Sequence, residues 1–159
     1  MANPKEWGPP LWRLLHTFAE RLGRQTNYIG VQDERRSWIV FVRSVESVMP
    51  CAKCREHFQR WKRSHPLEQA NSLAGEQLRI WATDWLYSLH DEVNKEKDIA
   101  SPTREEVTAV YTPRTSRDQH DDIRILYELL QRASHYRLID PAYILPFKTH
   151  LSMMMRLLF

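Results

Sequence analysis

The sequence predicts an all-α fold, and three observations predict it. Glycine occurs only four times in 159 residues. The prolines gather between candidate elements, and apolar residues recur at steps of three and four with no alternating stretch long enough for a strand. A chain of this length is one domain's worth and can bury a core without cross-links. With 42% hydrophobic residues and a net charge of +3, the composition excludes a disordered chain. No run approaches the ~18 apolar residues of a membrane span. MANPKEWGPP lacks the basic start and apolar stretch of a secretory signal. A protein of the cytoplasm, away from membranes, is expected.

The elements follow in order. Leu11, Leu14, Leu15, Phe18 and Leu22 lie on one stripe after Pro9 and Pro10, which suit a first helical turn, and Gly23 marks the stop, so helix one is expected over about 9–22. Asp33 is the expected cap of helix two, whose Trp38, Phe41, Val42, Val45 and Val48 form a stripe ending before Pro50. A third helix, 51–64, opens on Cys51 and closes at His65-Pro66. A fourth, 73–95, carries Leu78, Trp81, Ala82, Trp85, Leu86, Leu89 and Val93. Four helices with short connections predict a bundle. Beyond Pro102 a short helix is expected at 103–110, then a polar stretch from Thr112 to His120. An amphipathic helix through Ile123, Leu126, Leu129 and Leu130 reaches about Tyr136. A last apolar segment, 141–159, is interrupted at Pro146. That segment is rich in methionine, which suits either packing on the bundle or docking on a partner.

Cys51 and Cys54 are the only cysteines. A multi-disulfide scaffold is therefore excluded, and one C-x-x-C leaves a redox dithiol, half a zinc site, or two incidental core residues. Its place at a helix start favours reactivity, because the partial positive charge there stabilises a thiolate. His57 completes a C-x-x-C-x-x-H that could open a zinc site, but the nearest spare imidazole, His65, points badly for a fourth ligand, and no metal is expected. Residues 1–65 hold 12 basic and 6 acidic side chains. Their aromatic neighbours fall at buried helical spacing rather than on an exposed basic face, which argues against nucleic acid. A dithiol alone cannot deliver two electrons to oxygen, so net oxidation requires a cofactor, and no G-x-G-x-x-G loop exists to bind one in a strand–helix unit.

Three linked motifs then point to a family. Trp7-Gly8-Pro9-Pro10-Leu11-Trp12 with Leu15-His16, Pro50-Cys51-Ala52-Lys53-Cys54-Arg55-Glu56-His57-Phe58, and Trp85 with Leu89-His90-Asp91-Glu92-Val93-Asn94 resemble, in order and spacing, the Erv/ALR family of FAD-dependent sulfhydryl oxidases over about residues 7–99. The resemblance implies a four-helix bundle, residues 1–102, that holds FAD, with 103–159 as a helical extension that packs on the bundle or docks a partner. It implies that Cys51 is the interchange thiol that meets substrate and that Cys54 lies beside the flavin. Electrons would pass to FAD and then to O2, giving H2O2. By the same resemblance Trp7, Gly8, Trp12, His16, His57, Trp85, His90, Val93 and Asn94 bind the cofactor. Lys95 and Lys97 are the candidates for its diphosphate. Implied partners are protein thiols or a separate dithiol carrier, and a second copy of the chain paired through helices one and two.

Two departures from the family pattern stand out. Asp91 replaces the usual Asn, placing a carboxylate near the expected phosphates. No shuttle or structural cysteines accompany the C-x-x-C, so substrate thiols must reach Cys51 directly or through that carrier. Members with such reduced cysteine sets and unrelated extensions look like those of large DNA viruses, which implies host cytoplasm or virion and a capsid-protein contact through 103–159. The competing expectation is a structural adaptor that keeps the oxidase fold and docks through the same residues.

Overall fold

A computed structural model of the chain describes residues 3–159, and those residues form seven α-helices and two short 3-10 turns. The helices are α1 (Pro4–Arg21), α2 (Tyr28–Val48), α3 (Ala52–Ser64), α4 (Gly75–Glu96), α5 (Arg104–Tyr111), α6 (Ser116–His135) and α7 (Ile144–Leu158). No helix among the described residues is long and apolar enough to cross a membrane.

Caps explain where the elements differ from expectation. Helix α1 starts five residues early because the Asn3 side chain accepts from the Lys5 N–H at 3.0 Å and Pro4 takes the first helical position. Pro9 and Pro10 thus lie inside the helix rather than at its start. Asp33 does not cap α2. Asn27 does, accepting from the Gly30 N–H at 2.7 Å, and the first turn went unread because Tyr28 and Ile29 point to solvent and add nothing to the stripe. Much of the polar stretch expected after Thr112 is the first turn of α6, closed by a reciprocal capping box between Thr115 and Asp118. Pro146 does not interrupt α7, since it falls in the first turn, where a missing N–H costs nothing.

Helix α1 is the hub. It packs on α4 and α5 along one side and on α6 along another, while α2 packs chiefly on α7. Gly23 ends the α1 region at φ 84°, and a Cβ there would overlap the Gly75 backbone at the start of α4. The Gly23 N–H donates to the buried Glu34 carboxylate at 2.8 Å, tying the α1–α2 turn to α2.

Helices α6 and α7 share the bundle's single core: Leu126, Leu130, Phe147, Leu151, Met154 and Leu158 are buried with Phe18, Trp38 and Phe41. The Phe147 ring lies 5.8 Å from that of Phe41, and Phe159 sits against Phe18 with the Arg21 guanidinium 3.9 Å over it. Across α1 and α6, Arg13 donates to both oxygens of buried Asp122 in three bonds at 2.6–3.0 Å, and Arg114 adds a fourth at 2.5 Å. Charged partners satisfy this buried carboxylate fully, so it does not stand as an unpaired charge. Met154 and Met155 are therefore spent inside the molecule, while Met153 stays exposed. Within the same chain α6 lies along α1 and α7 along α2, the two helices through which the resemblance implies that two copies pair.

Candidate functional site

Helix α3 sorts its side chains to two sides. Cys54, His57, Phe58 and Trp61 recur at helical spacing and turn toward α4. Phe58 and Trp61 each meet Trp85 edge-on with ring centroids 6.2 Å apart, and His57 Nε2 lies 2.9 Å from a Glu92 carboxylate oxygen. Arg55, Gln59 and Lys62 turn toward α2, where Gln59 donates to Glu46 at 2.5 Å, Lys62 pairs with the same carboxylate, and Arg55 donates to the Met49 carbonyl. Cys51 caps α3, its sulfur accepting from the Cys54 N–H at 3.2 Å, and the two cysteines form a disulfide with Cα atoms 5.2 Å apart. Both sulfurs thus sit over the positive end of the α3 dipole, which lowers the cost of a thiolate once the bond is reduced.

A second group forms where α1, α4 and α5 meet. Trp12 and His16, one turn apart on α1, face His90 of α4. The Trp12 and His90 rings stack 3.9 Å apart and nearly parallel, and His16 Nε2 lies 3.0 Å from His90 Nδ1, so one ring donates and the other accepts. Burial, with His90 close by, pushes the His16 pKa down to about 3. Burial, reinforced by Lys97 and opposed by Asp91, brings His90 to about 4. Both imidazoles are therefore neutral near pH 7, as a donor–acceptor pair requires. Tyr111 at the end of α5 stacks on His16 with centroids 4.9 Å apart. It was missed in the sequence because a single aromatic ending a short helix leaves no periodic signal.

One turn beyond His90, Val93 packs on the core and Asn94 donates to the Ser101 hydroxyl at 3.1 Å. Asp91 answers its own anomaly: it pairs with Lys95 at 2.7 Å, and that bond, with one to Ser101, holds its carboxylate below the usual range. Both lysines are exposed, and Lys95 is the one committed to a carboxylate partner. Trp85 stands apart from the Trp12–His16–His90 cluster. Its N–H donates to the His65 carbonyl at 2.9 Å and it belongs to the α3–α4 seam. Trp7 is buried with its indole N–H unpartnered, and Gly8 faces open space, a Cβ there meeting nothing within 4 Å.

Together these side chains offer flat aromatic faces, two neutral imidazoles, an amide, an unspent indole N–H and a cation at the open end of α4. Such a set suits a planar ring system with a phosphate-bearing tail. A helical bundle that carries a C-x-x-C at a helix N-terminus and an indole–imidazole cluster along the neighbouring helices defines a class, the helical proteins built around a single redox-capable dithiol. The chain belongs to the Erv1 / Alr family, whose match covers residues 9–112 and ends before α6 and α7. It is similar to the FAD-linked sulfhydryl oxidases of African swine fever virus. It is 32% identical to the Tick/Malawi isolate's protein over 94 residues, which cover 56% of this chain and 66% of that one. It is 32% identical over 90 residues to the Pig/Kenya isolate's protein, with coverages of 56% and 66%. The chain thus spans just under two thirds of the length of these relatives. No solved structure matches it.

Proposed function

We propose that the protein is an FAD-dependent thiol oxidase that forms disulfides in protein substrates. The observation that carries the reading is the Cys51–Cys54 disulfide at the N-terminus of α3, within a chain similar to FAD-linked sulfhydryl oxidases. A substrate thiolate attacks Cys51 Sγ, a substrate–Cys51 disulfide forms, the Cys51–Cys54 bond breaks, and Cys54 leaves as a thiolate favoured by the helix dipole. A second substrate thiolate then attacks its neighbour's sulfur in the mixed disulfide and releases Cys51. The substrate has lost two electrons and two protons, and the electron pair resides on the Cys51–Cys54 dithiol. When bound, FAD supplies a two-electron acceptor that dioxygen re-oxidises with formation of hydrogen peroxide.

The chain's own residues hold the cofactor. Trp12 and Tyr111 give stacking faces, and His16 and His90, kept neutral, present one donor or acceptor each without repelling a cofactor of either charge. Asn94 and Val93 continue that face along α4, Trp7 contributes its free N–H, and Lys97 neutralises the diphosphate. Cys54, on the α4 side of α3, is the sulfur that faces the cofactor, whereas Cys51 at the cap faces substrate.

Oxygen consumption with dithiothreitol tests the reading. Turnover is expected from the FAD-loaded protein and a fall of ~10³-fold in Cys51→Ser and Cys54→Ser, since each removes an obligatory sulfur. An adaptor that merely keeps the fold would be indifferent to either change.

A further inference from the structure

Cys51 is the sulfur that substrate attacks, and it is also the one that must leave last. In the second exchange the bond between Cys51 and the substrate sulfur breaks, the two substrate sulfurs join, and the electron pair of the broken bond stays on Cys51 as a thiolate. A group that lowers the cost of that thiolate therefore favours release of the product disulfide.

Two features of the structure converge on it. The Cys54 N–H donates to Cys51 Sγ at 3.2 Å. Arg55 supplies the second feature. Its backbone N–H donates to the Cys51 carbonyl at 3.0 Å, and its guanidinium folds back to donate to the carbonyl of Met49, the residue that caps α2 two positions before Cys51. The half-buried side chain is thus pinned to the turn that carries Cys51, and its charge has a fixed place there.

That charge is spent on a carbonyl and not on a carboxylate, whereas the other charges around it are matched. Glu46, which lines the same cleft as Arg55, is held by Lys62 and Gln59. Across that cleft, on the connection joining α6 to α7, Asp140 caps the Ala142 N–H at 2.9 Å and is balanced by Arg137, with His135 adding no negative charge. On the α4 side, Glu92 and Glu96 flank His57 at 2.9 and 3.8 Å. Lys53 and Glu56, exposed on α3, are of opposite sign and lie in water, where their fields are screened.

We infer that Arg55 is the positioning residue for the Cys51 thiolate: its pinned guanidinium holds the turn that presents Cys51 and, with the Cys54 N–H, stabilises that sulfur as the group that leaves when the substrate disulfide closes. The inference rests on the thiol-oxidase reading, which supplies the step, and deepens it.

The test uses the full chain with Cys54→Ser, so that Cys51 alone reacts, and glutathione as the probe. The readout is the equilibrium between the Cys51–glutathione mixed disulfide plus reduced glutathione and the free Cys51 thiol plus oxidised glutathione. Arg55→Gln, which keeps a donor for the Met49 carbonyl but loses the charge, is expected to shift this equilibrium about 3-fold toward the mixed disulfide at low salt. The shift is expected to shrink as salt rises. Arg55→Lys keeps the charge and should stay close to the parent. Lys53→Gln removes an exposed cation between the cysteines and should shift the equilibrium less than Arg55→Gln does. The pH midpoint for alkylation of Cys51 should rise in Arg55→Gln and hold in Arg55→Lys, which a role confined to packing would not produce. An Arg55→Gln chain that exchanges like the parent, an Arg55→Lys chain that behaves like Arg55→Gln, or an equal shift from Lys53→Gln would overturn the inference. These exchanges need neither flavin nor oxygen. The expected shifts in a protein that fails to oxidise dithiothreitol would count against the oxidase reading alone.

Discussion

The two flanks of α1 are built from the same helix to opposite ends. Toward α4 and α5 it presents Trp12 and His16 to a ring cluster that is buried but polar, with imidazoles forced neutral and an indole stacked on a histidine. Toward α6, and through α2 toward α7, the surface is sealed with Leu, Phe and Met and pinned by the Arg13–Asp122–Arg114 network. The first flank keeps groups that a purely structural core would replace with aliphatics, while the second spends its side chains on stability. Polar groups buried where nothing structural demands them mark a site.

Substitutions on the two flanks should therefore separate stability from cofactor binding. The largest stability effect is expected from Phe147→Ala, which empties a fully buried position against Phe41 and should cost about 3–5 kcal/mol in denaturant unfolding, with no selective loss of flavin from the molecules that remain folded. Next, His90→Ala should weaken FAD retention about 10-fold, read as flavin released on dilution, because one stacking face and one hydrogen bond go together. Unchanged retention would make His90 a structural residue and erase the contrast.

A third effect is expected from pH. His16 and His90 have folded-state pKa values of about 3 and about 4 against an ordinary 6.5, so the unfolded chain binds more protons below 6.5. Their contribution to stability is fully present above that value and is lost as pH falls from there toward about 4 and then 3. Unfolding midpoints of the flavin-free protein at about pH 7.5 and about pH 5 should show this loss, and His90→Gln should reduce it. A pH-independent midpoint would mean that the pair is not neutral in the fold.

Much of this was legible in the sequence. The stripes of α1 to α4 and the C-x-x-C at a helix start are local patterns, and the structure reproduces them. Helix starts set by caps were not, because Asn27 precedes a turn whose side chains face water, and a buried stripe says nothing about exposed turns. The cluster was half legible. Trp12, His16 and His90 could be named from motifs, but Tyr111 and Ser101 enter through tertiary contact. The fate of Asp91 depended on Lys95 one turn away, a pairing open to inspection at i, i+4 that competes with the reading of that lysine as a phosphate ligand. Which surface α6 and α7 would cover could not be read, since amphipathicity shows that a face is buried and not against what.

The most direct measurement is the flavin content of the purified full-length protein, taken as the visible absorption spectrum and the FAD released on denaturation. The account predicts a yellow protein with FAD equimolar to chain, restored by added FAD if it is lost in purification. A colourless protein that takes up no added FAD would contradict it, leaving the Trp12–His16–His90 cluster as buried structure.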